Sequence, residues 1–152
     1  MTQLWFVVAA CYPLALLSAV VPWVNAEFVL LSALAVVDGP LAAAAVALVI
    51  TAGQMSGKAV MFCAARRGGK TWQRRLEPAV NRWRLRLEGS PRSALCLVFV
   101  SATIGIPPFY FVSIAAGALG VAFSRFLAVG TIGRLVHFST VALAPYVIRS
   151  AA

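Results

Sequence analysis

Residues 26–65 read AEFVLLSALAVVDGPLAAAAVALVITAGQMSGKAVMFCAA, and this stretch decides the fold. Ala26 to Val37 is apolar apart from Glu27 and covers only about half of a ~30 Å hydrocarbon core. It stops at Asp38-Gly39-Pro40, a strong turn signal: glycine admits backbone angles closed to other residues, and proline breaks a helix ladder. Leu41 to Ala65 then continues as an apolar-rich run. At helical rise it is about 37 Å long, more than one crossing requires. The economical reading is a re-entrant hairpin over 26–47, turning at Gly39 and Pro40, followed by a span over 48–66.

The second half repeats the theme. Ala94 to Ile104 is again half-length and ends at Gly105-Ile106-Pro107-Pro108, and Phe109 to Phe123 returns. That predicts a second hairpin over 94–123, turning at Gly105, Pro107 and Pro108. Ser124-Arg125 marks an interface, and 125–148 supplies a last span. At the front, 4–24 is long enough to cross, with a kink expected at Pro13. Met1-Thr2-Gln3 lacks the positive n-region of a cleavable signal, so this run reads as a span.

Non-helical backbone at membrane depth survives only where protein or a watery cavity receives its polar groups. Two short segments interrupted by Gly and Pro in corresponding places therefore point to a broken-helix transport architecture. The alternative is that each is an ordinary span kinked by proline. The fold expected is an all-α integral membrane protein forming a single domain over 1–152. It has about three transmembrane helices and two re-entrant helical hairpins, with a cytoplasmic amphipathic helix between the hairpins.

Composition agrees: 62% of the 152 residues are hydrophobic and 11% charged, against roughly a quarter charged in soluble domains. The net charge of +9 is concentrated, because nine of the thirteen basic residues fall between Arg66 and Arg92. A basic loop between apolar segments belongs in the cytoplasm by the positive-inside rule, so 66–92 is expected on the cytoplasmic side of the membrane. Nucleic acid is not expected as a partner, since no aromatic-basic module accompanies the charge.

Within the basic segment 67–93, Trp72, Leu76, Val80, Trp83 and Leu87 recur at helical spacing, flanked by Arg75, Arg82 and Arg86. This describes an amphipathic helix in the headgroup layer, its arginines reaching for phosphates. Pro78 interrupts it and allows two shorter pieces. A helix covering the hairpins instead of the lipid is the structural alternative.

Few residues remain for chemistry. Glu27 and Asp38 are the only acids outside the basic loop, and a carboxylate within a membrane segment is costly unless paired, protonated or facing water. Glu27 reads equally as an interfacial charge at a helix N-terminus, where the dipole favours it. Asp38 reads as a turn residue or, at bilayer depth, as a proton carrier. The cationic candidates are Lys58, Arg125 and Arg134. In Gly53-Gln54-Met55-Ser56-Gly57-Lys58 and Gly130-Thr131-Ile132-Gly133-Arg134, glycines permit close helix approach beside a basic side chain. His137, one turn after Arg134, is a relay candidate or a packed histidine. Cys11, Cys63 and Cys96 have no metal-ligand spacing. No metal, cofactor or enzymatic activity is expected.

These residues support a resemblance. The chain resembles the DedA/VTT family (SNARE-associated Golgi proteins), particularly its short YqaA-like members, over about residues 26 to 138. The matching features are Glu27 before an apolar half-helix and the run Gly53…Gly57…Phe62…Arg66-Arg67-Gly68. They continue with Gly105-Ile106-Pro107-Pro108-Phe109-Tyr110…Ala115-Ala116-Gly117-Ala118-Leu119 and close with Arg125-Phe126-Leu127…Gly130…Gly133-Arg134. The resemblance implies opposed re-entrant hairpins around a polar cavity, and movement of lipids between leaflets or proton-coupled transport. It aligns Glu27 with the family's hairpin acid, Arg66 with its post-span arginine and Arg134 with the basic position of the last helix. The chain departs from larger members in having Phe109-Tyr110-Phe111 after the second hairpin's prolines, where they carry an arginine. It also has only Pro40 where they pair prolines after the first acid.

The leading expectation is a lipid translocase or scramblase acting on an anionic phospholipid or polyprenyl phosphate. The alternatives are a small proton-coupled solute transporter and a non-transporting envelope assembly or stress factor. Membrane lipids are the expected partners, and a homo-oligomer stays open.

Overall fold

A computed structural model of the chain describes residues 2–21, 24–68 and 91–151. Its regular structure is helical throughout: α1 (Thr2–Val20), α2 (Ala26–Leu34), α3 (Pro40–Arg67), α4 (Pro91–Ile104), α5 (Phe109–Ala118) and α6 (Phe123–Ala151). The two half-length elements foreseen in the sequence are α2, with 9 residues, and α4, with 14. α1 passes through Pro13 as one helix. α3 is a single helix of 28 residues, so the boundary expected between 47 and 48 falls inside it with no break. The return helix of the second pair, α5, ends at Ala118 rather than Phe123. There Gly120 takes a φ of 73° and the Val121 N–H donates back to the Ala116 carbonyl, a glycine-terminated helix end.

The chain forms two compact units, Met1–Gly57 with Arg134–Ala152, and Lys58–Gly133. In the first, α1 packs against α2. Its core joins Ala15 of α1, Ala26, Leu30 and Ala33 of α2, Ala43, Val46, Ala47 and Ile50 of α3, and Phe138 and Ala142 of α6. Small side chains dominate this core. In lipid, apolar surface gains little from leaving one hydrocarbon for another, so helices associate by close van der Waals packing. A methyl group on Gly53 would lie 2.5 Å from the Tyr12 carbonyl oxygen, and one on Gly57 would lie 2.5 Å from the Ala19 Cβ. The absence of Cβ is therefore what lets α3 sit against α1; the glycine spacing predicts a close helix approach here, and the structure names the neighbour. Polar side chains also link these two helices: Gln54 Nε2 donates to Ser18 Oγ at 2.7 Å, and Tyr12 Oη lies 3.0 Å from Ser56 Oγ.

The second unit is organised around aromatic rings. Phe62 of α3 stacks on Phe126 of α6 with centroids 4.7 Å apart and meets Phe123 at 5.4 Å, while Phe109 of α5 stacks on Phe126 at 6.0 Å. Gly117 of α5 fits against the Phe62 backbone, and Gly133 of α6 against Ala102 and Phe99 of α4.

Both turn signals are realised as turns. Gly39 has a φ of 91° and Gly105 a φ of 83°, a region closed to residues with a Cβ. Pro40 then opens α3, where its missing N–H costs nothing. In the second turn the Ile106–Pro107 peptide is cis and Pro108 caps α5. Ser101 Oγ donates to the Pro107 carbonyl at 2.6 Å, tying α4 to the turn that follows it.

Candidate functional site

The start of α2 positions the first functional side chain. Asn25 caps the helix, its Oδ1 accepting from the Glu27 N–H at 2.8 Å. This holds Glu27 in the first turn, where the helix dipole favours a carboxylate. Glu27 Oε1 lies 3.1 Å from His137 Nε2 on α6. His137 is 18% exposed and Glu27 45% exposed, so the pair is reachable from outside while its imidazole is largely enclosed. One turn before His137 on the same helix, Arg134 lies over the Phe138 ring, 5.6 Å from its centroid. Glu27 is the acid that acts electrostatically on this guanidinium. An acid, an imidazole and a guanidinium thus share one region of the first unit, an arrangement able to exchange a proton and to meet a phosphate.

The VTT domain matches residues 21–146, a range that contains Glu27, Arg134 and His137. The chain belongs to the VTT-domain (DedA) family. No curated protein matches it, and no solved structure does. As a VTT-domain protein it is a membrane protein. Among the described residues two helices are long and apolar enough to cross a bilayer, Pro40–Arg67 and the Phe123–Ile148 part of α6.

Not every residue singled out in the sequence of this VTT-domain protein joins the Glu27 group. Asp38 is exposed in the turn after α2, at the other end of that helix from Glu27, with about 13 Å of helix between them. Among the described residues no ion pair involves it. Arg66 lies in the last turn of α3 and Arg125 in the first turn of α6; both are exposed and both belong to the second unit. Trp72, Arg75, Arg82, Trp83 and Arg86, on the expected surface helix, lie outside the described residues.

Three features of the protein lie beyond what its sequence shows. The first is the partner of His137: spacing along α6 suggested Arg134, and the structure supplies Glu27. The second is the set of polar bonds between α1 and α3. Its available signal was the presence of Tyr12, Ser18, Gln54 and Ser56 in apolar runs, since polar groups in lipid seek one another. The third is the setting of Lys58, which is 4% exposed and lies 5.2 Å from the centroid of the Tyr110 ring.

Proposed function

We propose that this VTT-domain protein moves an anionic lipid, a phospholipid or a polyprenyl phosphate, between the leaflets of the inner membrane without covalent chemistry. The observation that carries the reading is the 3.1 Å contact of Glu27 with His137 beside Arg134. The carboxylate and a lipid phosphate compete for Arg134 and for an N–H of His137. When Glu27 takes up a proton, His137 and Arg134 are released to the phosphate; when it loses the proton, the phosphate is displaced. α2 and α4, too short to span ~30 Å, act as arms of re-entrant hairpins, each thinning the bilayer beside it. Arg66 and Arg125, both exposed, draw headgroups electrostatically. The basic segment 66–92 faces the cytoplasm in this scheme.

Liposomes containing the purified chain test the proposal. Leaflet exchange of a labelled phosphatidylglycerol or polyprenyl phosphate is expected to accelerate, and Glu27→Gln and Arg134→Ala to slow it. No acceleration with any anionic lipid would sink it. The same acid–imidazole contact favours a second reading, proton-coupled transport of a soluble anion. Proton flux that requires such a solute and persists without lipid exchange would select that reading.

A further inference from the structure

The last turns of α3 separate two kinds of surface. Lys58, Met61, Phe62 and Ala65 are buried. Ala59, Val60, Cys63, Ala64 and Arg67 instead line an open groove of about 410 Å³. With 3.6 residues per turn, these five positions occupy an arc of about 140° centred opposite the four buried ones. The groove exists because Ala59, Cys63 and Ala64 are small, while Val60 and Arg67 stand out beside them.

Its dimensions and charge are those of one lipid. From Ala59 to Arg67 the helix advances about 12 Å, close to the ~15 Å depth of a single leaflet. The floor is apolar, and one end carries Arg67, with Arg66 next to it, both exposed in the final turn. The helix C-terminus contributes about half a negative charge, which two permanent guanidiniums outweigh. Guanidinium grips phosphate through paired N–H donors. A free phosphate would leave the apolar floor unused. A second copy docked face to face in parallel would bring two Arg67 side chains together, because a twofold contact pairs each residue with its equivalent.

We propose that this face of α3 binds one anionic phospholipid, with an acyl chain along Ala59, Cys63 and Ala64 and the phosphate on Arg67. The inference goes beyond the function above: the site shares no residue with the Glu27, His137 and Arg134 group, and a lipid held here need not cross the membrane.

Native mass spectrometry of the full chain, released from micelles holding equal phosphatidylglycerol and phosphatidylcholine, tests this. Phosphatidylglycerol is retained about fivefold over phosphatidylcholine, the scale of one basic side chain at a membrane surface. Arg67→Gln lowers the ratio toward one, read in chains that also carry Arg134→Ala so that the Glu27 group holds no anionic lipid. Ala64→Phe, which fills the groove without changing charge, lowers retention of both lipids. Both positions are exposed, so both variants keep the helical circular dichroism of the parent. Equal retention of the two lipids by the parent, or an unchanged ratio in Arg67→Gln, overturns the proposal. So does undiminished lipid in Ala64→Phe. Cys63 provides an independent check in a chain carrying Cys11→Ala and Cys96→Ser. Efficient Cys63–Cys63 crosslinking in bilayers would assign the groove to a second copy and also overturn the lipid reading.

Discussion

Glu27 Oε1 and His137 Nε2 are 3.1 Å apart although 110 positions separate the two residues in the chain. A pair that is half exposed on the acid side contributes modestly to stability, under about 1 kcal/mol. Glu27→Gln and His137→Gln should therefore leave thermal unfolding in detergent almost unchanged. Under the lipid-transfer proposal each slows leaflet exchange about tenfold, equivalent to about 1.4 kcal/mol of barrier. The double variant should be no slower than either single one. Additive losses would show that the two side chains act separately.

Gly57 and Gly39 are needed for opposite reasons, and substitution separates them. Gly57→Val places side-chain atoms where Ala19 Cβ and the Leu16 carbonyl already sit, and should cost about 2 kcal/mol as an overpacked contact. A methyl group on Gly39 would meet nothing within 4 Å, yet the φ of 91° there penalises alanine by about 1 kcal/mol. Asparagine, which tolerates positive φ better, should recover part of that loss at position 39 and none at 57. Unfolding in mixed micelles reads both effects.

Gln54 donates to Ser18 through Nε2, while its buried Oε1 has no hydrogen-bond partner among the described residues. Ser18→Ala removes the acceptor and leaves a second amide atom unsatisfied, so it should destabilise by about 1 kcal/mol. Gln54→Met removes the donor and the unsatisfied oxygen together. Its net effect should stay within about 0.5 kcal/mol, because an interhelical hydrogen bond in lipid is worth little on average. The reverse order in an unfolding titration would contradict this account.

Phe62 is fully buried and touches Phe123 and Phe126. In a water-soluble core Phe→Ala costs about 3–5 kcal/mol. In a bilayer the transfer term largely disappears, since the exposed alternative is also hydrocarbon. Phe62→Ala should then cost about 2 kcal/mol, chiefly lost packing. A value at the soluble-core level would mean that water reaches this cluster.

What could be read from the sequence follows the range of the interactions involved. The turns at Gly39-Pro40 and Gly105 to Pro108 were legible because glycine and proline act on their own backbone. That α3 makes a close helix contact is legible because Gly53 and Gly57 fall one helical turn apart; that the neighbour is α1 is not. The sequence pattern carries α5 about one turn past its end at Ala118, because Leu119 to Phe123 is as apolar as the helix before it and Gly120 alone marks the stop. Glu27 and His137 were each singled out, but not as partners. Helical periodicity relates residues three or four apart and carries no information on which distant helix lies alongside. The same limit hid Gln54 and Ser18, separated by 36 positions.

The unbroken length of α3 has a bearing on where the protein can reside. Leu41 to Ala65 gives about 37 Å of helix against a hydrocarbon thickness of ~30 Å. If the whole of α3 crosses the bilayer, instead of lending its first turns to a hairpin, the surplus is a positive hydrophobic mismatch, relieved by tilting the helix or by thickening the lipid around it, at a cost of fractions of a kcal/mol per Å. Acyl-chain length therefore becomes a control variable in its own right: bilayers of longer lipids hold α3 upright, and bilayers of short ones force it to lean.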